Sequence, residues 1–312
     1  MKTKIYIDGQ SGTTGLQIYE RIGAREDLEL LRISEEKRHD TEERRKYLNA
    51  ADLVFLCLPD EGAREAVSLI DNPDVRVIDA STAHRTAPGW DYGFPELFPG
   101  AREAIAKSRR VANPGCHASG FLAVTAPLVR MGILPADYPV ACYSLTGYTG
   151  GGKKMIASYE SEGRGEELSS PGLYGLALKH KHLPEMLKYS GLDFAPAFIP
   201  VVDDYAKGMA TTILLANRLL AGHPSASEIR DRLFEYYQNE PLLTVLPYEE
   251  VPGTFYANVL AGTNGMEILV CGHGEQTAVT ARFDNLGKGA SGAAVQNMNI
   301  MLGIEETRGL IQ

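Results

Sequence analysis

The sequence predicts an α/β protein in two parts: a Rossmann-like doubly wound parallel sheet, then a second, α+β domain on a mixed or antiparallel sheet. Three observations lead there. In the N-terminal part, short apolar runs alternate with helical stretches, as parallel strands joined by crossover helices do. The first such run, Lys4 to Asp8, passes straight into the glycine turn Gly9-Gln10-Ser11-Gly12-Thr13-Thr14-Gly15 and then a helical stretch from Leu16 to Ile22. Beyond Val140, strand-like runs follow one another with few helices between them, the pattern of an α+β domain.

Composition bounds the function. With 312 residues the chain can bury a core in each of two domains, and 44% hydrophobic content is ordinary for a folded globular protein. Lys and Arg number 31 against 40 Asp and Glu, a formal net charge of -9, which argues against holding nucleic acid or an anionic membrane by broad electrostatics. A small-molecule partner is expected. No signal-peptide pattern opens the chain, and no apolar run reaches the ~20 residues of a membrane helix, so a cytoplasmic location is expected. Cys57, Cys116, Cys142 and Cys271 stand far apart with no C-x-x-C pair, so the expectation is reduced thiols and no metal site.

The glycine turn is read as a dinucleotide site. Glycines between strand and helix let the backbone approach a pyrophosphate lying on the helix N-terminus. The spacing is G-x-x-G-x-x-G rather than the usual G-x-G-x-x-G, and Gly9, Ser11, Gly12, Thr13, Thr14 and Gly15 are the expected cofactor contacts. The second strand, Leu28 to Ile33, ends where an adenosine ribose would sit; Arg32, Ser34 and Arg38 there favour NADP(H) over NAD, with the carboxylates Glu35 and Glu36 between them pulling the other way. Thr41 to Ala50 reads as a polar helix, Asp52 to Pro59 as a strand buried on both faces, Gly62 to Ile70 as a helix and Val75 to Asp79 as a strand. Ligands of such a sheet gather at the carboxyl ends of its strands, where Pro59 and the loop Asp79 to Arg85 fall. Within that loop Arg85 could hold carboxylate or phosphate through paired hydrogen bonds. Trp90 to Pro99 reads as an ordered loop.

Next comes Asn113-Pro114-Gly115-Cys116-His117, where the strand Arg110 to Ala112 breaks at a Pro-Gly turn and a cysteine opens a helix. A cysteine alone is most often a small buried hydrophobe. At a helix start, free amides and the positive end of the dipole favour the thiolate, its nucleophilic form. Further along, Val140 to Thr146, Phe194 to Ile199, Met209 to Asn217, Leu242 to Val245, Met266 to Cys271 and Thr277 to Phe283 read as strands, and Ser227 to Gln238 as a helix. Gly150 to Lys154 reads as a glycine loop carrying the cations Lys153 and Lys154. His180 and His182, in Lys179-His180-Lys181-His182-Leu183-Pro184-Glu185, are the expected source of a general base, at most one of the two being needed for the chemistry, since imidazole exchanges protons near neutrality. Metal binding there is disfavoured by Lys179 and Lys181 and by the lack of a third ligand at suitable spacing. The small-residue stretch Asp284 to Gly292 permits close approach to a ligand, and Ala293 to Leu302 reads as a helix.

Together these motifs resemble the N-acetyl-gamma-glutamyl-phosphate reductases in their shorter form. The resemblance runs from Gly9 to Gly15 through Asn113 to Cys116, His180 to Glu185 and Asn285 to Ala290, to Gln296-Asn297-Met298-Asn299. Aspartate-semialdehyde dehydrogenases typically have asparagine where Gly115 stands, glyceraldehyde-phosphate dehydrogenases follow their cysteine with threonines, and neither has the His-x-His-x-Pro-Glu string. The chain departs from the longer reductases over Pro200 to Met209 and in the middle of the Asp79 to Arg85 loop. The resemblance implies a dinucleotide-binding domain at 1–115, completed by the C-terminal helix within 284–312, and a catalytic and oligomerisation domain at 116–283. It implies NADPH-dependent reduction of an acyl phosphate with release of phosphate, through a thioester on Cys116 with His180 as proton donor. Ser81, Arg85, Asn113, Lys153 and Lys154 would then meet substrate; Pro59, Asn285, Lys288 and Gly289 would join the cofactor contacts; and the assembly would be a homodimer or homotetramer. An aspartate-semialdehyde-type enzyme and a non-catalytic NADP-binding regulator are the alternative readings.

Overall fold

A computed structural model describes residues 2–248 and 252–311 of the chain, which divides into two compact units: Met1–Pro95 with Gly100–Pro114 and Ala290–Leu310, and Glu96–Pro99 with Gly115–Gly289 and Ile311–Gln312.

The first unit is the expected parallel sheet. Its strands are β1 (Thr3–Asp8), β2 (Leu28–Leu31), β3 (Leu53–Leu56), β4 (Arg76–Asp79), β5 (Asp91–Tyr92) and β6 (Arg110–Ala112). They lie in the order β2-β1-β3-β4-β6-β5 with every pairing parallel. Helices α1 (Thr13–Ile22), α2 (Thr41–Ala50), α3 (Asp60–Ser68) and α4 (Ala101–Lys107) are threaded between them. Strand alternation decides which side each helix covers. Ile5, Ile7, Leu53 and Phe55 pack with Ile18 and Ile22 of α1 and with Val295 and Met298 of the helix Gly292–Met301. Tyr6, Val54 and Leu56 face the other way onto Leu48 of α2 and onto Ala63 and Ala66 of α3. Two apolar faces on one sheet force helices onto both sides, which is the doubly wound arrangement. The strand order reverses between β1 and β3, and that switch point sets the ligand crevice at their carboxyl ends.

The second unit is a mixed sheet with helices packed on it. It begins with α5 (Cys116–Arg130) and continues through β7 (Ala141–Gly147), α6 (Gly152–Glu160), β8 (Gly172–Leu173), α7 (Leu183–Ser190), β9 (Ala197–Asp203), β10 (Met209–Ala216), α8 (Ala226–Tyr237), β11 (Leu243–Val245), β12 (Met266–Gly272) and β13 (Gln276–Phe283). The order is β11-β12-β13-β10-β7-β9-β8; β11 with β12 and β7 with β9 are parallel, the rest antiparallel.

One local expectation is corrected, and two stretches left without an element gain one. Gly150 to Lys154 is no glycine loop: a single 3-10 turn, Tyr148–Gly151, runs into α6, and Lys153 and Lys154 project from that helix into solvent. His182 caps α7, a helix with Pro184 in its first turn, where a missing amide hydrogen costs nothing. The small-residue stretch after Phe283 contains a π-helical turn, Gly287–Ser291, leading into the last helix.

Candidate active site

In the first unit, the end of β1 turns on Gly9, whose φ of 87° lies in the left-handed region. A Cβ there would strike the Cys57 carbonyl oxygen, so the glycine lets the end of β1 close onto the end of β3. A Cβ at Gly15 would lie 2.5 Å from the Gly9 carbonyl oxygen, and Gly12 closes the turn by donating its amide to that oxygen at 3.0 Å. Helix α1 then starts with no capping side chain and no acidic residue in its first turn, leaving its leading amides for an anion. The cavity in front, ≈ 420 Å³, is of small-molecule size and is lined by Gly9, Ser11, Gly12, Arg38 and Pro59 among others. Thr13, Thr14 and Gly15 lie in the first turn of α1 itself.

The three residues expected to read a 2'-phosphate are split. Arg38 lines the glycine cavity, donates to Ser11 Oγ at 3.0 Å and pairs with Glu35. Arg32 lies over the Tyr19 ring, 4.8 Å from its centroid, and with Ser34 lines a separate cavity beside Lys37 and Tyr47. The same glycine cavity contains a residue that sequence reasoning missed. Buried Arg44 pairs with Asp8 at 3.0 Å and with Glu65 at 2.7 Å. Burial raises the Asp8 carboxyl above its usual range, with the Arg44 hydrogen bond opposing. Nothing local marks α2 as the source of that partner.

At the ends of β4 and β6, Ser81, Arg85 and Asn113 come together with Asp79. Asp79 is fully buried and accepts from the Ser81 amide at 2.9 Å and the Ser81 hydroxyl at 2.8 Å, with His84 Nδ1 2.6 Å from it. The His84 ring stacks on Trp90 with centroids 4.1 Å apart. Arg85 donates to the Asn113 carbonyl at 3.0 Å and the Ala80 carbonyl at 3.2 Å, and Asn113 donates to the Ala290 carbonyl at 3.0 Å. Asp79 and His84, which hold the loop, were not singled out from sequence.

In the second unit, Cys116 is the first residue of α5, with Gly115 as N-cap, no capping side chain and no acid in the first turn. The Gly115 amide is taken by Glu185, whose carboxylate accepts it at 3.1 Å. This buried glutamate ties α7 to the start of α5, and its place in the Pro-Glu string was the one available signal. A Cβ on Gly289 would come within 3.0 Å of the Cys116 Cβ, so the π-helical turn backs directly onto the thiol-bearing residue.

Three imidazoles gather around this helix start. The His117 ring lies 5.4 Å from that of His180 and 5.8 Å from that of His182, and His180 and His182 meet edge-on at 4.6 Å. His182 is buried at 5% exposure, whereas His180 is half-buried. His117 is enclosed, with its Nδ1 2.8 Å from Ser144 Oγ and its Nε2 2.8 Å from the Tyr174 hydroxyl. Burial, helped by His180 and Lys181, lowers its pKa to about 3, so it is neutral at physiological pH.

The remaining expected cofactor contacts, Asn285, Lys288 and Gly289, lie in the second unit. The Lys288 ammonium pairs with Glu96 at 2.6 Å, with both side chains enclosed. Asn285 accepts from the Gly208 amide at 2.9 Å and donates to Thr149 Oγ1 at 3.1 Å, bracing the turn before α6.

Comparison with known proteins agrees with this arrangement. Residues 4–108 match the family model described as semialdehyde dehydrogenase, NAD binding domain, and residues 116–285 match the semialdehyde dehydrogenase, dimerisation domain. The chain is 49% identical over 320 residues to N-acetyl-gamma-glutamyl-phosphate reductase 2 of Nostoc sp., covering 99% of each. It is 49% identical to the N-acetyl-gamma-glutamyl-phosphate reductase of Brucella ovis, covering 97% of this chain and 100% of that one. Among solved structures, aspartate semialdehyde dehydrogenase II of Vibrio cholerae, complexed with ASA, superposes with a TM-score of 0.73 at 14% identity, covering 97% of this chain and 99% of that one. That likeness is one of fold.

Proposed function

The chain belongs to the N-acetyl-gamma-glutamyl-phosphate reductase family of the semialdehyde dehydrogenases, and on that premise we propose that it reduces N-acetyl-gamma-glutamyl phosphate to N-acetyl-L-glutamate 5-semialdehyde with release of phosphate. The observation that carries the reading is Cys116 at the uncapped start of α5, with the histidines of the His-x-His-x-Pro-Glu string gathered at the same helix start.

In this reading the Cys116 thiolate attacks the acyl carbon, the C–S bond forms, and the bond to the phosphate oxygen breaks with its electron pair leaving on phosphate. The first-turn amides of α5, which have no intrahelical acceptors, hold the oxyanion that develops. NADPH supplies the hydride that reduces the thioester. His180 donates the proton as the tetrahedral species collapses to aldehyde and free Cys116.

The glycine cavity suits such a dinucleotide. The turn in front of it tolerates no Cβ at Gly9 or Gly15, which would strike the Cys57 and Gly9 carbonyl oxygens, and Arg38 and Ser11 offer a cation and a hydroxyl on the cavity wall. Arg38, on that wall beside Ser11, is the cation available to a 2'-phosphate. Ser81, Arg85 and Asn113 are assigned to substrate as one cluster, with Arg85 oriented by two backbone carbonyls.

The working assembly is a homodimer or homotetramer in the cytoplasm. Tyr143 on β7 and Leu214 on β10, 42% and 52% exposed, supply apolar surface on the second sheet for a subunit contact. No helix among the described residues is long and apolar enough to cross a membrane. The test is NADPH oxidation with N-acetyl-gamma-glutamyl phosphate before and after thiol alkylation. Loss of turnover on alkylation, matched by Cys116→Ala, supports the reading, and turnover by Cys116→Ala refutes it.

A further inference from the structure

The loop between β2 and α2 carries the cation of the glycine cavity on a pinned turn. The Lys37 amide donates to the Ser34 carbonyl at 3.0 Å and the Asp40 amide to the Lys37 carbonyl at 2.9 Å. Asp40 is in turn fixed as the cap of α2, its side chain accepting from the Glu43 amide at 2.9 Å. These bonds fold residues 34–40 into two successive turns, in which residues three apart come together. Glu35 and Arg38 are three apart, and their side chains form an ion pair.

The nitrogens of the Arg38 guanidinium are used unequally. Nε donates to His39 Nε2 at 3.2 Å, and Nη1 donates to Ser11 Oγ at 3.0 Å while also pairing with the Glu35 carboxylate. Among the described residues Nη2 makes no hydrogen bond. A phosphate is held best by two guanidinium nitrogens facing two of its oxygens. Nη1 and Nη2 form such a fork, and a carboxylate sits on one of its prongs. Ser11, Arg38 and His39 line the glycine cavity, whereas Glu35 lies off its wall.

We propose that Glu35 is a specificity-determining residue of the cofactor site: its carboxylate holds the Arg38 fork that a ribose 2'-phosphate takes, and the phosphate displaces it. Glu35 is the member of the pair that can leave. Its side chain is 67% exposed against 34% for Arg38, and Ser11 and His39 keep the guanidinium in place when the ion pair opens. An exposed pair contributes little to stability, so opening it costs the fold little. It is still a charge that a 2'-phosphate must move and that a free 2'-hydroxyl need not. A carboxylate at this strand end can also accept from that hydroxyl. Glu35 therefore lowers the preference for NADP(H) over NAD(H) that Arg38 creates, and the pair, rather than the arginine alone, sets the ratio. Glu36 is also exposed and forms no ion pair among the described residues, so it supplies the same charge outside the pair.

The inference rests on the glycine cavity holding NADP(H), and the experiment separates the two. Adenosine 2',5'-bisphosphate and adenosine 5'-monophosphate are titrated by calorimetry into wild type, Glu35→Gln, Glu36→Gln, Arg38→Ala and the double variant Glu35→Gln/Arg38→Ala. The readout is Kd, with no turnover involved. Glu35→Gln should tighten the bisphosphate about three- to fivefold without tightening the monophosphate. Glu36→Gln should change the bisphosphate by less than about twofold, the effect of a screened surface charge. In the Arg38→Ala background Glu35→Gln should gain nothing. An unchanged bisphosphate Kd in Glu35→Gln, an equal gain in Glu36→Gln, or a gain that survives in Arg38→Ala overturns the role of Glu35. Wild type binding the bisphosphate no more tightly than the monophosphate would sink the parent reading of the cavity instead.

Discussion

The backbone amide of His182 donates to Nδ1 of His180 across 3.2 Å, which leaves the ring hydrogen of neutral His180 on Nε2. The more open of the two string histidines therefore has its tautomer fixed by the chain itself, with an N–H on the side away from its own backbone. To give up a proton His180 must act as the imidazolium, so its claim to the role rests on its access to the site. His180→Ala should lower kcat by ~10²–10⁴-fold with smaller change in KM, and His182→Ala should cost less. Single-turnover rates with NADPH check the ranking; a larger loss in His182→Ala would transfer the role.

Arg38 and Arg32 test the split seen at the end of β2. Arg38 is on the wall of the glycine cavity with Ser11, while Arg32 lies over Tyr19 and faces another cavity. Arg38→Ala should raise KM for NADPH about tenfold and leave that for NADH nearly unchanged, the loss of one charge-assisted contact. Arg32→Ala should alter neither by more than a small factor. Steady-state titrations with both nucleotides decide, and the opposite ranking would move the 2'-phosphate to the second cavity.

Lys288 and Glu96 form an enclosed pair 192 residues apart in sequence. Lys288→Met leaves a buried carboxylate without its cation and should destabilise the protein by about 3–5 kcal/mol. Adding Glu96→Gln should recover part of that loss. Urea midpoints of the single and double variants measure it; a single variant as stable as wild type, with weakened NADPH binding, would restore the cofactor contact first expected of Lys288.

His117 gives a signed pH effect. Its folded pKa of about 3 lies below the ordinary value of 6.5, so the unfolded chain binds the extra proton between those limits. The penalty is absent above pH ~6.5 and grows as pH falls toward about 3, by at most about 1.4 kcal/mol per pH unit. His117→Gln should therefore lose less stability than wild type between pH 7 and pH 5. Thermal midpoints at the two pH values are the check, and equal losses in the two proteins would place His117 outside this titration.

What could be read from sequence was what local chemistry determines. The runs Lys4 to Asp8 and Asp52 to Pro59 had only strand-like solutions, and Pro114-Gly115 could only break the chain before a new helix; β1, β3 and α5 follow. The run Gly150-Gly151-Gly152 misled because glycine is usually a breaker, yet Gly152 at φ 73° serves as the junction from which α6 departs. The helix α7 hid behind Pro184, which is tolerated in a first turn. Partners brought from afar had no local mark at all. Arg44 reaches Asp8 only because α2 packs on the face of β1 that carries Tyr6, and Tyr174 reaches His117 only through the pairing of β8 with β9. Asp79 and His84 were legible as residue types, but their bond needed the loop's path.

The most direct measurement is mass spectrometry of the protein mixed with N-acetyl-gamma-glutamyl phosphate in the absence of NADPH and quenched in acid. The expected result is release of phosphate with an N-acetylglutamyl adduct on the Cys116 peptide that NADPH discharges, and none in Cys116→Ala. Phosphate released without an adduct on Cys116, or an adduct that NADPH fails to discharge, would contradict covalent catalysis at this sulfur.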